Sequence, residues 1–420
     1  MKSKYLYCAL PLAALLLTKP AKAQSIDDKL KAAGAHRSIT TSVPFLTISP
    51  DARAGALGDA GAATSPDVNS IYWNSGKLAF MDKDMGFGVT YNPWLRKLVH
   101  DMSLAYVAGY KKLSKQEVIG IHLMYFNLGT IQFTNERGDP LEKHSPREFS
   151  AGLNYSRKLS ERLGVGIGLK GIYSNLSGNV SVVSNGTSTQ TKPGVTGAGD
   201  VGLYFKDDYM VGAKKLNLAL GANISNLGAK ISYTNNENKN FIPTNLRLGT
   251  AITTEIDPFN KVTFIFDVNK LLVPSPPIYL KNSQGLDSTD ASGKKILDPS
   301  TNSKDPNRSF IGGAVGSFSD APGGFKEELQ EIIYNFGLEY WYHDGRGNPL
   351  FAIRGGHFNE HKMKGGRKYF TLGFGFKYQG FGIDFAYLIP TVKNNPLAES
   401  LRFALHFNFN TKRVEESVTE

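Results

Sequence analysis

The 420-residue chain has one cysteine, Cys8, which excludes a disulfide scaffold and any cysteine-ligated metal site. Beyond residue 17 it has no run of 18 apolar residues, which excludes a spanning helix. It has no Gly-x-x-x-x-Gly-Lys-Ser/Thr loop and no Gly-x-Ser-x-Gly elbow. Charged residues make up only 20%, so a long solvating tail is excluded too. The net charge of +11 is not gathered into a basic run with interleaved aromatics, so it reads as a mixed-sign surface and implies no nucleic acid. Gly164-Val-Gly-Ile-Gly168 imitates part of a dinucleotide loop, but it lies inside an alternating segment. His357 and His361 are four apart at a strand end and loop, where solvated histidines are expected rather than a metal. No catalytic residues, cofactor or metal ligands emerge, and the chain reads as a non-enzyme.

The chain opens as an address. Lys2 and Lys4 precede an apolar run from Tyr5 to Leu17, and Ala21-Lys22-Ala23 supplies the small residues of a cleavage site. Residues 1–23 therefore read as a secretory signal peptide that also removes Cys8.

What is abundant is glycine (44 residues) and aromatics (25 Phe, 19 Tyr, 3 Trp), and both fall into a period of two. Phe87, Val89 and Tyr91 alternate with Gly86, Gly88 and Thr90. Val165, Ile167 and Leu169 alternate with Gly164, Gly166 and Gly168. Phe370, Leu372, Phe374 and Phe376 alternate with Thr371, Gly373 and Gly375. Such runs are strands with one apolar and one small or polar face.

Fourteen segments recur, mostly near ten residues, beginning near Asp84, His100, Glu117, Glu148, Leu163, Thr196, Leu216, Leu246, Asn260, Glu331, Leu350, Lys368, Phe381 and Ser400. That length suits a tilted strand crossing a bilayer. The connections alternate in length as well. Those after even-numbered segments are short, with the one at 207–215 intermediate. Those after odd-numbered segments are often long: 128–147, 177–195, 227–245 and 271–330. A sandwich has no reason to sort its loops by parity, whereas an outer-membrane barrel does, with short periplasmic turns and long external loops. The expected fold is an all-β membrane protein: a 14-stranded antiparallel outer-membrane β-barrel over 84–409, with a C-terminal tail at 410–420. Lys170, Asp200, Glu339, Arg354, Asp384 and Arg402 fall on its inward faces, and its regular strands show no obvious bulge.

Residues 24–83 do not alternate. Their Gly/Ala-rich centre, and Ser65-Pro-Asp-Val-Asn-Ser-Ile-Tyr72 read as a capped helical turn, suit a plug folded inside the barrel. Inward glycines would leave room for it.

Two runs, Arg53-Ala-Gly-Ala-Leu-Gly-Asp-Ala-Gly-Ala and Asp67-Val-Asn-Ser-Ile-Tyr-Trp-Asn74, resemble the N-terminal hatch of the FadL-like barrels. Ser49-Pro-Asp-Ala-Arg53, Tyr72-Trp73-Asn74 and the layout to the last strand are similar to the outer-membrane proteins of type IX secretion within that family. One departure is Asn74-Ser-Gly-Lys-Leu78, where many relatives have Asn-Pro-Ala-Gly-Leu. The resemblance implies fourteen strands, a plug, and a hatch motif at Asp51, Arg53, Gly55, Gly58, Asp59, Gly61, Asn69, Trp73 and Asn74. It implies a shuttle in the outer membrane that binds secreted proteins by their C-terminal signal domains. Its partners would be the type IX translocation channel (SprA/Sov-like), a PorU-type sortase attachment complex and outer-membrane lipid. The alternative is transport of hydrophobic small molecules such as long-chain fatty acids. Contact with cargo or partner is expected at the start of loop 271–330, through Leu271, Pro274, Pro276, Pro277 and Tyr279, where prolines stiffen the chain.

Overall fold

The computed structural model describes residues 37–410 except 97–98, 100, 135–136, 179–180, 185–186, 213, 236–238 and 393–399. The expected signal peptide, the first residues of the expected plug and the tail beyond 410 lie outside the described residues.

The strands in chain order are β1 (Met85–Pro93), β2 (Ser103–Lys112), β3 (Glu117–Asn127), β4 (Ile131–Thr134), β5 (Pro140–His144), β6 (Arg147–Lys158), β7 (Leu163–Asn175), β8 (Ser181–Ser184) and β9 (Thr187–Gln190). There follow β10 (Gly194–Val211), β11 (Lys214–Gly228), β12 (Asn245–Glu255), β13 (Asn260–Leu271), β14 (Ile332–His343), β15 (Pro349–Asn359), β16 (Lys368–Tyr378), β17 (Phe381–Pro390) and β18 (Leu401–Phe409). Fourteen of them form one closed antiparallel barrel, with β1 pairing both β2 and β18; β4–β5 and β8–β9 are separate hairpins inside two of the long connections. Every barrel strand starts within three residues of its expected position. No helix among the described residues is long and apolar enough to cross a membrane.

Closure satisfies every strand's backbone groups, which hydrocarbon would otherwise leave unpaired. Side-chain burial follows the alternation: Gly86, Gly88, Thr90 and Asn92 of β1 are buried, while Phe87, Val89 and Tyr91 are exposed outward. The short turns are closed locally. Ser114, Ser160 and Asp257 accept from backbone N–H groups two and three residues on, and Asp344 from those of Arg346 and Asn348.

Two expectations are corrected. The connection at 207–215 is a tight turn, because β10 and β11 stay paired from Asp207↔Leu218 to Val211↔Lys214. A bulge also interrupts the β10–β11 register between Gly199 and Val201. There the Asp200 carboxylate accepts the backbone N–H of Asn226 at 2.7 Å, and Asn226 takes a positive φ of 59°. A side chain has replaced the ladder partner.

Residues 43–81 run inside the barrel. Ser42 donates its backbone N–H to Phe241 at the long-loop end, and Lys112 reaches the Asp82 carbonyl at the short-turn end. The chain thus descends the lumen before turning into β1.

Candidate functional site

Inside the lumen the sequence builds a polar knot around Asp51. Its carboxylate caps the helical turn Ala52–Gly55 by accepting from the backbone N–H groups of Arg53 and Ala54. It also accepts from Asn69 Nδ2 at 2.9 Å and Trp73 Nε1 at 3.1 Å. Burial and the nearby Asp67 push the Asp51 carboxyl up to about 6.

Arg53 joins this knot to the wall. Its guanidinium forms a fork with Glu339 of β14 at 2.9 and 2.7 Å, and reaches Asp67 at 2.8 Å and Ser65 through both its carbonyl and hydroxyl. Arg354 of β15 bonds the same Glu339 and passes on to Asp384 of β17. Arg402 of β18 binds Asp59, which also accepts from Tyr369. Lys170 of β7 pairs with Asp200 and Asn226. All six inward charges read from the alternation are therefore engaged, and four of them (Glu339, Arg354, Asp384 and Arg402) lie in the networks that reach Arg53 and Asp59.

The glycines explain how a chain segment fits. Gly58 has φ of +69° and lies against the His357 backbone, a conformation other residues rarely adopt. Asp267 receives the N–H groups of Gly61 and Ala62 at 2.8 Å each, and Asn335 donates to the Gly58 carbonyl. A Cβ at Gly221, Gly356 or Gly373 of the wall would collide with Ala62, Gly58 or Ala56. Asn74 bridges the Ala62 and Leu203 carbonyls, and Gly55 lies under Arg402. The nine hatch-motif residues thus converge in one lumenal cluster.

The helical turn expected from Ser65 begins later, at Ser70–Trp73, and its N-cap Asn69 makes no capping bond. Ser65 serves Arg53 instead, and Asn69 serves Asp51. Lys77 is wholly buried, donating to the Gly61 carbonyl and Thr64; burial, opposed by Asp67, pulls its ammonium down to about 8.

At the external end, the loop between β13 and β14 is folded and clamped. Glu331 accepts from Lys270 at 2.6 Å, Lys364 at 2.9 Å and Ser275 at 2.6 Å, while Lys364 and Arg37 bind Glu327. Leu271 ends β13, Pro274 is buried, and Pro276, Pro277 and Tyr279 are half-buried, Tyr279 bridging to Leu297. These five residues form the root of the loop rather than its outer surface. The surface is presented further on by Val315 (70% exposed), Phe318 (52%) and Phe325 (77%). No periodicity distinguishes those side chains from buried ones. Among the described residues no group of three or more His, Cys, Asp or Glu is placed to hold a metal ion.

A family model described as "Type IX secretion system protein PorV" matches residues 31–278, more than half of the chain. This chain belongs to the PorV family. It is an outer-membrane β-barrel of type IX secretion. No curated protein matches it. Among solved structures, the toluene transporter TbuX of Ralstonia pickettii is 13% identical, with a TM-score of 0.44, covering 86% of this chain and 98% of its own. The Pseudomonas putida toluene transporter TodX is 11% identical, TM-score 0.45, covering 85% and 97%. A Pseudomonas aeruginosa FadL homologue is 10% identical, TM-score 0.41, covering 89% and 100%. For this PorV-family chain the barrel itself rests on its own strand register.

Proposed function

We propose that the protein receives secreted proteins by their C-terminal signal domains, from the type IX translocation channel, and carries them to the cell-surface sortase complex. Family membership supports the secretion role, and one observation carries the protein-handling role. The loop between β13 and β14 is held rigidly over the barrel mouth, yet exposes Val315, Phe318 and Phe325. Large apolar side chains on a pre-ordered external loop are what a protein partner desolvates on docking. The N-terminal segment acts as the plug that keeps this barrel from conducting while cargo is bound outside.

The test replaces Val315, Phe318 and Phe325 together with serine and measures recovery of secreted proteins on the tagged barrel in mild detergent. Cargo recovery is expected to fall at least tenfold while the barrel keeps its heat-modifiable mobility. Undiminished recovery refutes this docking surface.

A further inference from the structure

One lumenal guanidinium stands apart from the other arginines. Arg53, Lys170, Arg354, Arg367 and Arg402 all face a carboxylate within ion-pair distance. Arg247 of β12 has no such partner among the described residues. It is about nine-tenths buried, stacked over the Trp73 ring at 4.4 Å, donates its Nε–H to Asn269 at 2.7 Å, and interacts with Tyr72 and with the charge of Asp267. Two residues away, Asn245 is equally buried, and its side-chain amide has no hydrogen-bond partner among the described residues. Their polar atoms are not sealed from solvent but open onto a cavity, where an incoming polar group can meet them.

Both side chains line one small chamber of about 90 Å³, room for a few atoms and not for a folded domain. The chamber leads outward. It shares Thr47, Leu271, Ile333 and Arg367 with a second cavity of about 390 Å³ beneath the clamped external loop. Trp73 and Asp59 belong to the inner chamber, and the Asp59 charge is already taken by Arg402. The two cavities thus adjoin between the external loop and the Arg247 guanidinium.

We propose that this passage receives the C-terminal end of a polypeptide, its terminal carboxylate on Arg247 and its last peptide group on Asn245. An anionic complement follows from the Arg247 guanidinium, which makes no ion pair within contact distance among the described residues. A peptide rather than an acyl chain follows from Asn245, because an unpaired amide matches a peptide group and gains nothing from hydrocarbon. The inference rests on the cargo reading above and adds where the end of the cargo sits.

The experiment uses the full chain in detergent and, as probe, the labelled C-terminal signal domain of one secreted protein recovered with it. That domain is prepared with its native terminus and with a six-histidine extension. Binding to the wild type is expected, with Arg247→Gln and the extended probe each weakening it by about 10- to 150-fold, as for lost hydrogen bonds to a charged group. Arg247→Lys should fall between, because it keeps the charge and loses the fork. Heat-modifiable mobility reports that each variant is folded. Equal binding by Arg247→Gln and by the extended probe overturns the inference and leaves the cargo reading standing. No binding of the domain to the wild type refutes the cargo reading, and the inference with it. Palmitate binding that Arg247→Gln abolishes, with domain binding unchanged, assigns the passage to fatty acid and also overturns it.

Discussion

Replacing Arg53 with methionine tests whether charge pairing holds the N-terminal segment inside the barrel. The substitution keeps a long side chain but removes five hydrogen bonds, two of them to Glu339 and one to Asp67. Breaking one side of a buried ion pair costs roughly 3–5 kcal/mol, because the remaining charge stays buried. Here the low end applies: Arg354 still bonds Glu339 at 2.7 Å, so the carboxylate is not left bare. A cost of about 3 kcal/mol raises the population of the displaced segment by about 10²-fold. The barrel ladder is untouched by the change, so the barrel itself persists.

The assay is limited proteolysis in detergent, with mass spectrometry locating cuts within residues 50–80. Where closing is faster than cleavage, the rate follows the displaced population. The expected rise is about a hundredfold over the wild type. Arg53→Met with Glu339→Met should recover much of the protection, because the unpaired charge is the larger part of the penalty. A rise below about threefold in the single variant, with the barrel intact, refutes the reasoning.

Gly356→Val should expel the segment through collision with Gly58 and Leu57, whereas Gly355→Val, facing outward with no atom closer than 3.9 Å, should leave protection unchanged in the same assay. Asp51 and Lys77 together should contribute least to the packed segment near neutral pH. Asp51 is raised from 3.8 to about 6, so its contribution is complete below about 4 and lost by about 6; Lys77 is lowered from 10.5 to about 8, so its contribution returns only above about 8. Melting temperature against pH checks this: the wild type should lose stability relative to Asp51→Asn between pH 4 and 6, and gain relative to Lys77→Met above pH 8. Glu331→Gln should loosen the external loop by about 3 kcal/mol, seen as faster hydrogen exchange across 272–331 with the strands unaffected.

The strands were legible because a bilayer imposes one chemistry on every outward position, and Phe, Leu, Ile and Val recur there against small inward residues. The turn at 207–215 was misread because β10 and β11 outrun the apolar band, and their ends carry Lys206, Asp207 and Asp208 in place of the alternation. The bulge at Asp200 depends on a carboxylate meeting Asn226 on the next strand, a contact no local pattern records. Trp73 and Asp51 could be named as hatch residues, but not that one bonds the other. Arg53 and Glu339 lie 286 residues apart, and only closure of the sheet brings them together. The loop clamp was hidden for a different reason. Lys270, Glu327, Glu331 and Lys364 look like solvated loop charges, and only their burial shows that they pair.

The same clamp ties the external loop to the segment inside the barrel. Arg37, at the start of the descending segment, binds Glu327 of the external loop and donates its backbone N–H to Met363. From Arg37 the chain runs by way of Ser42 and Phe45 to Asp51, whose four acceptor bonds hold Arg53 toward Glu339. A partner that shifts the loop must therefore break the Glu327 pairing or pull on the segment inside the barrel. Since buried ion pairs resist separation more than loop backbone resists bending, displacement of the loop as a unit acts on the segment through Arg37. The external loop and the lumenal knot are thus joined by the stretch of chain from Arg37 to Arg53.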